Sequence, residues 1–189
     1  MAKGGDLSAR GNDYTRTALA LHWLVALVIF AALPLGLYMH ELPLSPRKLQ
    51  LYSYHKWLGI SALLLVLIRL AWRGLHRPPA IAATTPRWQQ MAAHGTHTLL
   101  YLLMLIVPFS GWLMSSALGF PVVWFGVLPL PDLVGKDKEL GEALKIVHAW
   151  LNYGLLTLVA LHVAAALQHH FIERDDTLQR MLPFLRPRS

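Results

Sequence analysis

The stretch "KIVHAWLNYGLLTLVALHVAAALQHH", residues 145–170, decides the fold. It is apolar and long enough to cross a bilayer, for which a helix needs about 20 residues. It also contains four histidines, although a polar ring inside hydrocarbon is costly and usually functional. His148 and His162 are fourteen residues apart. On a helix this spacing separates them by about 21 Å and leaves them within about 40° of the same face. The stretch therefore predicts a membrane helix that presents imidazoles at two depths.

The composition of the whole chain agrees with a membrane protein. Of its 189 residues, 55% are hydrophobic and 14% are charged, whereas soluble domains average about 45–50% apolar and about 25% charged residues. The chain has no cysteine, which excludes disulfides, iron–sulfur clusters, thiolate-bound haem and covalently attached c-type haem. Histidine, methionine or carboxylate side chains must therefore hold any metal. The net charge of +7 is modest, and we expect lipid, and no nucleic acid, as the surroundings.

Four segments are apolar enough to span a membrane, at about residues 17–38, 51–72, 97–118 and 146–171. They predict a single domain over residues 1–189, an all-α integral membrane four-helix bundle. After the third segment, "PVVWFGVLPLP" (residues 121–131) is expected at the membrane interface, with Trp124 and Phe125 in the aromatic belt. After the fourth segment, "DTLQRML" is expected to form a short interfacial helix.

The distribution of basic residues predicts the orientation of the bundle. Eleven Lys and Arg residues flank the ends of the spans on the side of the chain termini, and six lie on the other side. Loops rich in Lys and Arg stay in the cytoplasm. Both termini are therefore predicted to be cytoplasmic, in agreement with the even number of spans.

The predicted depths arrange four histidines as two pairs. His22 and His162 share a level near the cytoplasmic face, and His55 shares a level with His148 near the outer face. Two facing imidazoles inside a bundle are what a six-coordinate haem b needs, because the porphyrin supplies the other four nitrogens. Zinc would need a tetrahedral set of ligands at one level. Small residues near the ligands, such as Gly59, fit a flat macrocycle pressed against backbone. A lone interfacial histidine is often only hydrated, so it is the matched depths that favour an inner and an outer haem.

Further polar residues lie at the inner level. His94 and His97, at the start of the third span, are alternative iron ligands, or contacts to a bound quinone or a haem propionate. Three arginines are at the depth where a guanidinium would neutralise propionates. These candidates are Arg16, Arg69 and Arg73, and the alternative is that they only anchor the helices on the cytoplasmic side.

Four stretches of the chain resemble the bacterial cytochrome b561 family, itself related to the cytochrome b subunits of nickel hydrogenases and formate dehydrogenases. They are "ALHWLVALVIF", "YSYHKWLGISALLLVLIRLAWR", "AAHGTHTLLYLLMLIVPFSGWLM" and "HAWLNYGLLTLVALHVAAALQHHFIERDDTLQRML". The resemblance covers about residues 14–181. It implies four helices and two haems b in a bacterial inner membrane. It implies axial iron ligands at His22, His55, His148 and His162.

Within that family, the chain looks most like the small stand-alone members that act as superoxide:ubiquinone oxidoreductases. The resemblance implies electron transfer from superoxide or another periplasmic donor to ubiquinone. No catalytic residue is assigned, but Arg47, Lys48 and Lys56 form a basic group near the level of His55 that could steer an anion. One alternative is an electron-transfer subunit that docks on a periplasmic dehydrogenase. Another is a non-redox transporter that uses membrane histidines.

Overall fold

The computed structural model describes residues 14–76, 79 and 85–182. Its four long helices are α1 (Arg16–Glu41), α2 (Pro46–Leu75), α3 (Arg87–Ala117) and α4 (Lys138–Gln168). Each is long and apolar enough to cross a membrane, so the prediction of an all-α membrane four-helix bundle is confirmed. The basic residues Lys3, Arg10, Arg77, Arg186 and Arg188, counted for the orientation, lie outside the described residues.

Helices α1, α2 and α4 begin earlier than their apolar segments because polar side chains cap their first turns. Thr15, Ser45 and Asp137 each accept a hydrogen bond from the backbone N–H three residues later, at the starts of α1, α2 and α4. Such caps satisfy backbone donors that have no partner within the helix. As a result α4 starts about two turns outside its predicted span, in polar sequence that a hydropathy average does not register. Helix α3 also starts before its predicted span, but it follows Pro86 and has no side-chain cap.

The helices pack mainly as two antiparallel pairs, α1 with α2 and α3 with α4, and α2 also contacts α3. Val25, Ile29 and Val66 form one buried cluster between the helices. Leu100, Val107 and Leu155 form the second cluster. Most other apolar side chains point away from the bundle, as a bilayer requires of the surface that it surrounds. Leu27 and Phe30 of α1, for example, are 64% and 54% exposed.

A short β-hairpin closes one end of the bundle, which we call the hairpin end. Strand β1 (Val123–Trp124) pairs antiparallel with β2 (Leu128–Pro129). The Trp57 indole of α2 donates to the Val123 carbonyl at 2.7 Å, and the Trp124 indole donates to the Ser61 hydroxyl at 3.2 Å. Trp124 is therefore bonded to α2, whereas Phe125 is 57% exposed.

The opposite end, where α1 begins and α4 finishes, is the termini end. There α4 continues into a π-helical turn, His169–Glu173, followed by Arg174 in the left-handed region at φ 55°. The chain then forms α5 (Thr177–Met181), where the sequence predicts an interfacial helix. The Trp23 indole of α1 donates to the Met181 carbonyl at 2.9 Å and holds α5 against the bundle.

Candidate metal centres

Both pairs of histidines that the sequence predicts at equal depth lie side by side in the structure. The ring centroids of His55 on α2 and His148 on α4 are 6.3 Å apart, near the hairpin end. Those of His22 on α1 and His162 on α4 are also 6.3 Å apart, near the termini end. Leu155, halfway between the two histidines of α4, is buried between the levels.

The spacing within each pair fits two axial ligands of one metal ion. A metal–nitrogen bond is about 2 Å long and each ring centroid lies about 1 Å behind its nitrogen, so two opposed imidazoles on one ion have centroids about 6 Å apart. Rings in direct van der Waals contact would lie closer together.

The ring of His55 is held in a single tautomer. Its Nδ1 lies 3.1 Å from the backbone carbonyl oxygen of Ala32 on α1. A carbonyl can only accept, so Nδ1 carries the proton and donates. The lone pair is then on Nε2, the nitrogen left free for a metal. Such an outer hydrogen bond orients a ligating histidine and raises its basicity.

His148 is held in the same tautomer by a hydroxyl. The Ser110 hydroxyl donates to the Val107 carbonyl at 2.7 Å, so its oxygen is available to accept. The Nδ1 of His148 lies 2.9 Å from that oxygen and is therefore the donor. Both histidines of the hairpin-end pair thus leave Nε2 without a proton. Sequence reasoning did not identify Ser110 or Ala32, because these contacts depend on how neighbouring helices are rotated.

Two glycines lie directly beneath the hairpin-end histidines. A Cβ atom built on Gly36 of α1 would lie 3.0 Å from Cε1 of His55, and one built on Gly111 of α3 would lie 3.0 Å from Cε1 of His148. Both distances are shorter than ordinary van der Waals contact. Gly59, which the sequence places one turn from His55, faces Pro108 of α3 instead, at 3.9 Å.

The termini-end level contains a third imidazole. The ring centroid of His97 on α3 is 5.2 Å from that of His162, closer than the spacing that fits two opposed ligands. His94 is exposed, and its Nδ1 lies 2.7 Å from the carbonyl of Gln90, one turn back on its own helix. Of these two histidines, His97 has a ring contact with the termini-end pair, whereas His94 is bonded to its own helix.

Arg69 supplies a donor without an acceptor at this level. Its Nε donates to the Tyr101 hydroxyl at 2.8 Å, and the guanidinium of Arg73 lies 5.9 Å from the centroid of the same tyrosine ring. Within the described part of the chain, Nη1 of Arg69 is buried and has no hydrogen-bond partner. A buried unpaired donor on a cation marks a place for an anionic or carbonyl oxygen. Arg16 is exposed on the first turn of α1.

The basic group at the hairpin end is partly engaged in holding backbone. The Lys48 amino group donates to the carbonyls of Leu42 and His40, where α1 ends, at 2.5 and 3.2 Å. The Lys56 amino group donates to the carbonyls of Phe120 and Pro121, before the hairpin, at 3.1 and 3.3 Å. Arg47 is exposed. Of the three residues expected to steer an anion, it is the one whose charge projects from this end of the bundle.

Comparison with known proteins gives one family and several relatives. The family model described as prokaryotic cytochrome b561 matches residues 13–184. "Cytochrome b561 homolog 2" of Escherichia coli K12 is 32% identical over 179 residues, covering 89% of this chain and 90% of the relative. "Cytochrome b561 homolog 1" of the same organism is 32% identical over 178 residues, covering 91% and 98%. "Probable superoxide oxidase CybB" of Yersinia pestis is 27% identical over 179 residues, covering 91% and 97%.

Proposed function

The chain belongs to the prokaryotic cytochrome b561 family, and from this premise we propose that it is a di-haem quinone-linked oxidoreductase of the bacterial inner membrane. As a member of the family it is a membrane electron-transfer protein that binds haem b. The observation that carries the di-haem proposal is the pair of 6.3 Å histidine separations at two levels of one bundle. When bound, haem supplies one-electron chemistry between ferric and ferrous iron.

In this proposal each histidine pair holds one iron. His55 and His148 ligate the haem at the hairpin end, and His22 and His162 ligate the one at the termini end. The positive-inside rule orients the hairpin end toward the periplasm and both chain termini toward the cytoplasm. The Ala32 carbonyl and the Ser110 hydroxyl favour this assignment, because they keep Nε2 of the outer pair unprotonated.

We place the quinone or propionate contacts at the termini end. The unpaired Nη1 of Arg69 is suited to a carbonyl or carboxylate oxygen. His97 lies beside His162, where it contacts a quinone headgroup or a propionate in this proposal, and Arg73 adds positive charge nearby. Arg16 and His94 are weaker candidates: Arg16 lies on the first turn of α1, and Nδ1 of His94 donates to the Gln90 carbonyl of its own helix.

The proposed donor is superoxide, supported by the name of the Yersinia pestis relative, a probable superoxide oxidase. Two superoxide ions would be oxidised to dioxygen, and the two electrons with two protons would reduce one ubiquinone to ubiquinol. The exposed Arg47 at the hairpin end is placed to attract an anion. If the donor is instead another periplasmic redox protein, the chain is a docking subunit and superoxide will not reduce it.

The test combines a haem count with a donor assay. The pyridine haemochrome assay on purified protein is expected to give two haems b per chain, with low-spin spectra before and after dithionite. Superoxide generated in the stopped-flow cell is expected to reduce the haem, and added ubiquinone to reoxidise it. One haem per chain, or a high-spin spectrum, would contradict the paired ligation. Two haems that superoxide leaves oxidised would favour the docking subunit.

A further inference from the structure

The two hairpin-end histidines stand in the same local arrangement on different helix pairs. His55 of α2 directs Nδ1 to the Ala32 carbonyl of α1, and its ring lies over Gly36, four residues later. His148 of α4 directs Nδ1 to the Ser110 hydroxyl of α3, which is itself bonded to the Val107 carbonyl, and its ring lies over Gly111. Val107 and Gly111 are also four residues apart, so each carbonyl and its glycine lie on one helix face.

We propose that Gly36 and Gly111 are positioning residues of the outer haem centre. Each forms, with the carbonyl one turn before it, a flat surface that we call the histidine seat. The seat fixes the plane of the imidazole and presents Nε2 toward the opposite histidine. The inference rests on the proposed haem ligation by His55 and His148 and goes beyond it, because it assigns the ring orientation to two residues that carry no side chain.

The space beneath each ring is too small for a methyl group. A Cβ on Gly36 would lie 3.0, 3.4 and 3.7 Å from Cε1, Nδ1 and Nε2 of His55, and a Cβ on Gly111 would lie 3.0, 3.4 and 3.5 Å from the same atoms of His148. The added methyl would thus press on the flat side of the ring. Neither ring can move away without cost, since a hydrogen bond holds its Nδ1. An alanine must therefore tilt or displace the ligand.

The two levels differ in this respect. Among the glycines of the described residues, only Gly36 and Gly111 would bring a Cβ within 4 Å of a histidine ring. The seated rings of the hairpin-end pair are nearly perpendicular, with an interplanar angle of 84°. The angle between His22 and His162 is 60°. The seats therefore predict that the outer haem has its own spectroscopic signature, because the angle between axial imidazole planes governs the anisotropy of the low-spin ferric EPR signal.

The experiment compares Gly36→Ala and Gly111→Ala with Gly59→Ala in the full-length protein purified in detergent. Gly59 is a matched control, as its Cβ would meet only Cβ of Pro108 at an ordinary 3.9 Å. Alanine has the higher helix propensity at all three positions, so loss of helix does not explain an effect. The readouts are haem per chain, the low-temperature EPR spectrum and the midpoint potential of each haem. The outer signal is identified by its absence from His55→Ala.

We expect Gly36→Ala and Gly111→Ala to lose or shift the highly anisotropic outer signal, to move only the outer midpoint potential, and to keep the inner signal. Gly59→Ala should match the wild type. Ser110→Ala adds no volume but removes the hydroxyl that lies 2.9 Å from Nδ1 of His148, and it should shift the outer signal while both haems remain. This variant keeps the test decisive if an added methyl group prevents folding.

Two results would overturn the inference, and they are distinguishable. If the wild type carries two haems and the outer signal of the two glycine variants and of Ser110→Ala is unchanged, the seats do not position the ligands, and the proposed function stands. If the wild type lacks the outer haem, the proposed function fails, and the seats fail with it.

Discussion

At the scale of single residues, the pairing of the histidines makes the most direct prediction. His55→Ala and His148→Ala should each remove the outer haem, and His22→Ala and His162→Ala should each remove the inner one, because loss of either ligand destroys a six-coordinate site. Haem content should fall from two to one per chain in every case, and EPR spectra should assign the four variants to two classes.

His97 provides the check on this assignment, since its ring is the nearest to His162. His97→Ala should retain both haems, because its ring is too close to His162 to be the opposed ligand. If His97→Ala has one haem and His22→Ala has two, the inner haem is ligated by His97 of α3 and not by His22 of α1.

Arg69 makes a second prediction at this scale. Replacing it with Met removes a buried guanidinium whose Nη1 has no acceptor among the described residues. A hydrogen bond to a charged group contributes about 1.5–3 kcal/mol, so quinone affinity should fall about 10- to 140-fold if Nη1 contacts the quinone. If it contacts a propionate instead, quinone affinity should stay unchanged. The midpoint potential of the inner haem should then fall, because a positive charge near that haem is removed. Redox titration and steady-state quinone kinetics separate these results, and no change in either would exclude both contacts.

What the sequence predicted at the residue scale depended on depth alone. The positions of His22, His55, His148 and His162 along their apolar segments were enough to expect which rings lie side by side; whether those rings hold iron stays a prediction. Gly36 and Gly111 were not identified. A glycine in an apolar helix is common, and its role here arises only when a second helix brings a histidine ring onto it.

At the scale of elements, helix α4 carries His148, Leu155 and His162 at seven-residue intervals, and His169 continues the series as the first residue of the π-helical turn. Residues seven apart lie on nearly one face, so the series points along the bundle from the hairpin end to the termini end. The last member, His169, binds two carboxylates: its Nδ1 lies 2.9 Å from Glu173 and 2.8 Å from Asp175. This cluster closes the π-helical turn and positions α5.

Asp175 makes this anchor dependent on pH. Burial raises the pKa of its carboxyl, but hydrogen bonds from the Thr177 backbone, the Thr177 hydroxyl and His169 outweigh burial and hold the pKa below its usual value of 3.8. A carboxyl with a lowered pKa stabilises the fold above its unfolded-state pKa, and this contribution is lost as the pH falls through the lower, folded-state value.

We therefore expect Asp175→Ala to increase hydrogen–deuterium exchange of the α5 amides several-fold at pH 7, and wild-type α5 to loosen only below about pH 4. Exchange rates corrected for intrinsic pH dependence are the measurement, with the α2 amides as the internal control. An α5 equally protected in both proteins would show that the Trp23 contact with Met181 is sufficient.

The elements themselves were predictable to different degrees. Hydropathy summed over about 20 residues finds each span, and all four are present. The hairpin was missed because its strands have two residues each and depend on tertiary bonds, such as that from Trp57 to Val123. Its turn also uses positive φ at Phe125 and Gly126, and a phenylalanine at such a position gives no sequence signal.

At the scale of the whole molecule, the sequence assigns eleven Lys and Arg residues to the side of the chain termini and six to the other side. If superoxide is the donor, its encounter with the hairpin end is between an anion and the basic group of Arg47, Lys48 and Lys56. The Debye length shrinks from about 10 Å at 0.1 M to about 3 Å at 1 M salt, so the rate of haem reduction by superoxide should fall with ionic strength. Reduction by quinol should change little, because that contact is largely apolar.

Arg47→Gln should reduce the low-salt superoxide rate and flatten its salt dependence. Arg87→Gln, an equal change of charge on an exposed residue at the termini end, is the matched control and should leave the rate unchanged. Lys48 is a poorer choice, because its amino group also holds the end of α1. If the stopped-flow rate of haem reduction changes neither with salt nor with Arg47→Gln, this surface does not steer the donor.

The shared use of α4 has a consequence for biosynthesis. Both histidine pairs draw one member from this helix, which is the last of the four long helices to leave the ribosome. Under the proposed ligation, a nascent or truncated chain that ends before Lys138 holds half of each pair and completes neither. Insertion of both cofactors must then wait for translation to reach the fourth span, so partly made chains cannot carry a lone, redox-active haem in the membrane.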